Sequence, residues 1–584
     1  MKSKNVRIFM LGLIAGGVAL LIAAVFRVVA GGLFVPELAS QTLFSLVPGQ
    51  VESFSVETFG SLAKYSAFTM AIIVNLVLYG GLAVLLHKIY TRLASKGPAV
   101  NLLQLSFIPY VVMAAISAFL LQLNELLTGS SEIQYALLFL LLPNVAYGCT
   151  LSYLFQRGDN IAKRRRRIDS PHTVASSADA DGKEEKAKGK KSDVPATTAA
   201  HASAAAPQPA VPKISRRQFI SMAAGTAAAA AVFFLARDFV FHKESSMPLS
   251  ISKTPMPPLP SNIPPGSIFA QQALAPFVAS ELTPNDKFYR IDTNIIVPSV
   301  DANSWRLNVR GLVKNGPMQF TYDELKAMPS VSEYATLECI SDKIEGDLIS
   351  TAHWKGVPLK SILEKAQVLP EAIYVVFRCY DGYDVGIPLD RGLMGGTILA
   401  YEMNGTPLPP EHGFPVRAIV PGLYGMMNAK WITDIELVDK IYMGFWQRRG
   451  WANNAKYQTH SKIVFPGDAL RNRLAEDLSS LNNPVMVGKK SPIAGIAFAG
   501  DRGISKVEVS VDGENTWQTA SIKDPLSGNS WVLWALEWIP QNKGKYNIVV
   551  RATDKAGNVQ TAEIRDNYPS GATGYHSVEE NVEA

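Results

Sequence analysis

Four long apolar runs stand before residue 160, and nothing constrains the folding of this chain more. Residues 8–26, 67–86, 102–121 and 135–155 each approach the ~20 apolar residues that a helix needs to span a bilayer, and a fifth run, 219–235, follows a polar gap. Buried helices of a water-soluble core could be this apolar, but five at full spanning length point to lipid as their solvent. Lys2, Lys4 and Arg7 precede the first run, Lys88, Arg92 and Lys96 lie between the second and third, and KRRRR (163–167) follows the fourth. The segments after the first and third runs are nearly free of Lys and Arg. By the positive-inside rule the N-terminus and the loop after the fourth run are cytoplasmic, and the fifth run carries the rest to the outer face. The net charge of +6 resides largely in these flanks, so it gives no reason to expect a nucleic-acid partner.

The chain then divides by composition. Residues 1–160 are expected to be a four-helix transmembrane region. Residues 161–214, rich in Ala, Ser, Lys and Pro, lack the apolar surface to fold and read as a disordered cytoplasmic linker. Residues 215–241 open with Ser215-Arg216-Arg217-Gln218-Phe219-Ile220, which resembles a twin-arginine export signal; the plainer alternative is two arginines flanking a span. No small-residue cleavage site follows, so this segment is expected to remain as a fifth anchor. Residues 242–266 form a Pro-rich, semi-rigid spacer.

From 267 to 455 short strand-like runs (305–309, 373–377, 415–420) alternate with helical spacing at Leu359–Ala366, which predicts a mixed α+β domain. From 483 to 570 the period becomes two, as in VEVSVDGENTW (507–517), and predicts an immunoglobulin-like β-sandwich. The acidic tail HSVEENVEA (576–584) is expected to be disordered.

Only three cysteines occur, Cys149 within the fourth run and Cys339 and Cys379 beyond it. They are too few for a disulfide framework, though one Cys339–Cys379 bridge stays open. Cys339, in TLECISD (336–342), follows a strand-like run and could pack quietly, attack a substrate, or hold a metal. A soft thiolate suits a sulfur-ligated, high-valent metal centre. A nucleophilic role would need a base, for which His353 and His412 are the candidates.

The stretches FYRIDTNIIVPSVDANSWRLNVRG (288–311), TLECISDKIEGDLISTAHWKGVPL (336–359), LAYEMNGTPLPPEHGFPVRAIVPGLYGMMNAKW (399–431) and FWQRRGW (445–451) resemble, in order, the sulfite oxidase family of molybdenum enzymes. The sandwich is similar to that family's C-terminal dimerisation domain. The resemblance implies a molybdenum–molybdopterin cofactor, a Mo-pyranopterin, with Cys339 as the protein's ligand to the metal. It implies that His412, Arg417, Asn428, Ala429 and Lys430 hold the pterin's phosphate tail and that Asp381, Tyr289, Arg290 and Asp292 contact the pterin or its entrance. Arg290 and Trp451 would stand with Cys339 at the reacting centre. His412 and Arg417 are expected to converge from the two ends of a short strand.

Three positions depart from the family's sulfite-oxidising members. An arginine five residues after the cysteine is Ile344 here, beside Lys343; a tyrosine closing the WQRR motif is Trp451; and a C-terminal arginine has Pro569 or Ser570 in its place. A dianion needs positive surroundings, so these departures predict a substrate other than sulfite in two-electron, oxygen-atom-transfer chemistry. Nothing like a haem domain is present, and a membrane haem would need two facing histidines where the spans offer only His87. The electron partner is therefore expected to be a separate cytochrome or quinone-linked membrane protein, and the chain a possible homodimer. Asn75 and Asn144 would make helix–helix hydrogen bonds. The competing class is a membrane-anchored binding protein with a decayed site, against which the presence of Cys339, His412, Arg417 and Lys430 weighs.

Overall fold

The computed structural model describes residues 2–30, 34–47, 51, 61–94, 107–128, 140–168, 263–294, 297–467 and 484–584. The two expected linkers, except for a few residues at their ends, lie outside the described residues, as do the twin-arginine motif and the fifth run. The N-terminal helices are α1 (Lys2–Ala30), α2 (Val35–Leu46), α3 (Ser61–Ala94), α4 (Phe107–Thr128) and α5 (Leu141–Ile168).

Two helices, rather than five, are long and apolar enough to cross a membrane among the described residues: Lys4–Arg27 and Ser66–Arg92. In α4 the apolar stretch is Ile108–Gln122. Within the fourth run the described helix begins at Leu141 and continues through the arginines at 164–167, while 135–139 lie outside the described residues. Glycines bring α1 and α3 together, since a Cβ on Gly12 would collide with Ala83 and one on Gly16 with Tyr79. The Tyr147 hydroxyl donates to the Tyr79 carbonyl at 2.7 Å, and the Tyr79 hydroxyl to Asn144 Oδ1 at 3.2 Å, so Asn144 takes the interhelical role expected of it.

In the other compact unit, residues 263–467 build two five-stranded sheets. Their strands are β1 (Arg306–Gly311), β2 (Met318–Thr321), β3 (Val331–Glu338), β4 (Ile349–Pro358) and β5 (Tyr374–Cys379), then β6 (Asp384–Pro388), β7 (Ile398–Met403), β8 (Thr406–Pro407), β9 (Arg417–Ile419) and β10 (Ile432–Val438). One sheet runs β2-β1-β10-β5-β6, with only β1 and β10 parallel; the other runs β3-β4-β7-β8, with β9 on β7. The helix Leu359–Ala366 buries Leu359, Ile362, Leu363 and Ala366 on one face, the i, i+3, i+4, i+7 spacing of an amphipathic helix, and ends at the left-handed Gln367. Cys149, Cys339 and Cys379 are free, so no bridge forms.

The sandwich follows, from β11 (His460–Phe465), β12 (Val485–Met486), β13 (Ser491–Phe498), β14 (Ile504–Ser510) and β15 (Gln518–Thr519) through β16 (Ser521–Ile522), β17 (Val532–Trp538) and β18 (Gly544–Asp554) to β19 (His576–Glu583). Its sheets run β11-β13-β17-β16 and β12-β19-β18-β14-β15. Val507 and Val509 from one sheet and Trp534 from the other share the core. The acidic tail is thus a strand, against expectation. Its residues alternate, with His576 and Val582 inward and the carboxylates of Glu579 and Glu583 outward, and it pairs along seven residues of β18. The charge that suggested disorder occupies the solvent face of a half-buried strand.

Three histidines are buried neutral. Burial pulls His412 and His460 down to about 3 and His576 down to about 4, and His576 Nδ1 accepts from the Ile463 amide at 2.8 Å. Each group is depressed below its unfolded value, so its contribution is present above about pH 6.5 and is lost as pH falls through the folded pKa. We expect the metal-free chain to lose stability between about pH 6 and 4, each histidine adding a slope of up to about 1.4 kcal/mol per pH unit. His576→Asn, which keeps an acceptor, should flatten that slope in denaturant titrations; an unaltered slope would refute the assignment. Ending the chain at Tyr575 removes β19 from between β12 and β18, and we expect the sandwich to lose its cooperative unfolding transition by circular dichroism. A truncated chain that melts as before would show that the tail adds nothing.

Candidate active site

Strand β3 ends at Glu338 and delivers Cys339 to the first position of a tight loop. The Cys339 amide donates to the Leu348 carbonyl at 2.9 Å and the Asp342 amide to the Cys339 carbonyl at 3.0 Å. The thiol is 8% exposed and lies 3.0 Å from Ser341 Oγ. Burial pushes it up to about 11, so without a cation it stays a thiol at neutral pH; a bound metal would favour the thiolate. His353 packs on Tyr334, outside the cleft that Cys339 faces, and neither it nor His412 bonds to the thiol among the described residues. A Cys–His nucleophile is therefore not assembled.

His412 closes the turn Pro410–His412, and its Nε2 lies 2.7 Å from the Asn285 carbonyl, which can only accept. The proton therefore sits on Nε2 and leaves Nδ1 as an acceptor. Arg417 begins β9, so the two residues converge across a turn and not from the two ends of a strand: Arg417 Nη1 donates to the His412 carbonyl at 3.1 Å. Gly413 between them has φ 112°, and a Cβ there would crowd both Arg417 and Lys430. Arg417 also donates to the Asn428 carbonyl at 3.3 Å and lies over the Trp354 ring, but among the described residues its buried Nε has no partner and no carboxylate pairs with it. Burial lowers it to about 10, which leaves it charged.

Lys430 pairs with the buried Asp292, which also takes Arg290 Nε at 2.7 Å. Asp381 accepts from Asn294 Nδ2 at 2.7 Å and the Tyr383 amide at 3.1 Å, and burial pushes its carboxyl up to about 6. The Tyr289 hydroxyl lies where a Cβ on Gly425 would be, and burial keeps the phenol neutral. Trp451 packs edge-on against Tyr568 at 5.2 Å. Asn428 differs from expectation: its side chain accepts from the Val420 amide and donates to the Leu423 and Tyr424 carbonyls, so it shapes the loop and has no donor left over.

Every site residue singled out in the sequence lines one cleft: Cys339, Arg290, Trp451, Tyr289, Asp292, Asp381, His412, Arg417, Asn428, Ala429 and Lys430. Sequence reasoning passed over Ile291, Ile340, Tyr383, Met426 and Trp446, which complete its wall. Their apolar or aromatic character carried no chemical signal, although Ile291, Ile340, Met426 and Trp446 stand inside the stretches 288–311, 336–359, 399–431 and 445–451. Ile344 is not part of the lining. Pro569 and Ser570 approach through backbone carbonyls that accept from the Ala452 amide and Gln458 Nε2.

Residues 294–446 match the model of the oxidoreductase molybdopterin binding domain, and 474–579 that of the Mo-co oxidoreductase dimerisation domain. The mitochondrial sulfite oxidase of Macaca fascicularis is 30% identical over 313 residues, covering 48% of this chain and 57% of that protein. The sulfite oxidase of Arabidopsis thaliana is 27% identical over 348 residues, 50% of this chain and 86% of the relative. An uncharacterized oxidoreductase of Bacillus subtilis, YuiH, is 38% identical over 151 residues, 26% of this chain and 74% of the relative. The chain spans little more than half the length of the mitochondrial relatives. With two domain models matched in order, and a relative matched over most of its length, the chain belongs to the sulfite oxidase family of oxidoreductases, whose cofactor is molybdenum–molybdopterin.

Proposed function

We propose that this chain is a membrane-anchored, outward-facing molybdenum–pterin oxidoreductase that carries out two-electron, oxygen-atom-transfer chemistry on a substrate other than sulfite. The observation that carries the reading is the lone buried thiol of Cys339 in a cleft beside a buried Arg417 that lacks an anionic partner among the described residues. No three His, Cys, Asp or Glu side chains converge as a metal site among the described residues, so a metal here would draw its other ligands from a cofactor. The donor set fits that cofactor, with a soft sulfur at one place and cations for a phosphate tail at another. When bound, molybdenum supplies the redox centre that exchanges oxygen and two electrons.

The chain's own residues do the rest. Arg417 and Lys430 bind the anionic tail, and Asp292 orients Lys430 and Arg290 by pairing with both. His412 and Asp381 accept hydrogen bonds in the cleft, while Ile291, Ile340 and Trp451 exclude water. The substrate side is poor in free cations: Arg290 is tied to Asp292, and Ile344, Pro569 and Ser570, which carry no charge, lie outside the lining. Such a wall suits a neutral or larger molecule, such as a sulfoxide, an N-oxide or an organic sulfur compound.

Anchoring is supported by Lys4–Arg27 and Ser66–Arg92, which reach about 36 and 40 Å, more than the ~30 Å core, with Lys4, Arg7, Lys88 and Arg92 at their ends. The outward orientation rests on the asymmetry of basic flanks. The cofactor domain of 267–455 exchanges electrons with a separate cytochrome or quinone-linked protein, and the sandwich joins two copies in a homodimer. Expressed in full in a host that makes molybdopterin, the chain should carry stoichiometric molybdenum by mass spectrometry. Cys339→Ser should alter the paramagnetic spectrum of the metal, and sulfite should give no turnover. Rapid sulfite oxidation would refute the substrate assignment. A folded chain free of both molybdenum and pterin would refute the enzyme and leave the anchored binding protein.

A further inference from the structure

Lys462, on β11 of the sandwich, is fully buried, and its ammonium makes three contacts: Asp342 Oδ2 at 2.6 Å, the Lys343 carbonyl at 3.0 Å and the Gly346 carbonyl at 2.8 Å. An ammonium has three N–H donors, so its hydrogen bonding is complete. A buried charge is costly unless paired and fully hydrogen-bonded, by several kcal/mol per ion, and a residue in this position is placed for what it holds. All three acceptors belong to the loop that starts at Cys339. The loop winds tightly about Asp342, whose Oδ1 accepts from the Leu348 amide at 3.1 Å and leaves no room for a Cβ on Gly346. Just after the thiol, Asn567 Nδ2 donates to the Ser341 carbonyl at 2.7 Å; just before it, His460 packs 3.4 Å from Glu338 without a hydrogen bond from its Nε2.

We propose that Lys462 is a positioning residue for Cys339: through Asp342 and two loop carbonyls, the sandwich sets where the thiol stands and so tunes the centre that the thiol ligates. The proposal rests on the reading of Cys339 as the metal ligand. A second buried pair supplies the control. Lys523, also on the sandwich, meets Glu281 at 2.8 Å, both fully buried, and neither lines the cleft.

The test uses the full chain in detergent with Lys462→Met, Lys523→Met and the double variant Asp342→Asn/Lys462→Met, each made with and without molybdopterin. The double variant leaves no unpaired buried charge and carries the test should Lys462→Met fail to fold. In metal-free chains, alkylation of Cys339, followed by mass spectrometry of its own peptide, should speed up about tenfold or more in the Lys462 variants, since local opening loses its ion pair. In loaded chains the same variants should shift the paramagnetic spectrum of the metal. Lys523→Met should lower the melting temperature and move neither readout. Equal alkylation rates and spectra in Lys462→Met and Lys523→Met would overturn the proposal and make the pair purely structural. A wild-type chain without molybdenum would sink the metal reading alone, because the alkylation rates would still decide whether Lys462 holds the loop.

Discussion

The form of the loop that bears Cys339 depends on charge buried where two domains meet. One ammonium from β11 satisfies a carboxylate and two carbonyls of that loop at once. Strand β3, which leads into it, is bonded to the sandwich along its length. The Thr336 amide donates to the Asn529 carbonyl at 3.0 Å, and the Trp531 amide to Thr336 Oγ1 at 2.8 Å. Removing one partner of a buried pair typically costs about 3–5 kcal/mol, comparable to a good part of a domain's whole stability. The sandwich therefore braces the loop and strand behind the site and is also a candidate interface between copies.

Desolvation sets the electrostatics of the cleft. It pushes Cys339, Tyr289 and Asp381 up and His412 down, so each tends to its neutral form. What stays charged is paired, as Asp292 is with Arg290 and Lys430, or, like Arg417, is left with carbonyls and an aromatic face. The same holds behind the thiol. Burial pushes Glu338 up and His460 down, so their 3.4 Å approach joins two neutral groups and is no ion pair. The cleft thus combines little unpaired charge with a largely aromatic and apolar wall.

Much of this was legible because local chemistry and position coincide. The helix Leu359–Ala366 follows from its apolar spacing, and the end of β3 at Glu338 from the polar residues after it. Cys339, His412, Arg417 and Lys430 stand out because the resemblance of their motifs to the sulfite oxidase family singles them out, and their chemistry suits a metal and a phosphate. The misreadings have equally specific causes. The tail reads as a disordered acidic end because its period-two alternation is hidden when the acidic Glu580 shares the inward face with His576, Val578 and Val582. Hydropathy alone gives five spans where, among the described residues, two helices are long and apolar enough to cross a membrane, because an apolar run does not fix the bounds of a helix. Asn428 was expected to face a ligand, yet its amide closes its own loop.

Taken by itself, the sequence determined the order of the segments and the two domain types, which depend on residue type and short-range pattern, and its resemblance to a family pointed to the residues proposed to bind a molybdopterin. Only the tertiary structure decided that these residues, distant in the chain, line one cleft, and that Ile344 does not. It also decided that Lys462 reaches Asp342 across 120 positions. Pairings of that kind depend on which surfaces pack together, and a short-range pattern carries no record of that.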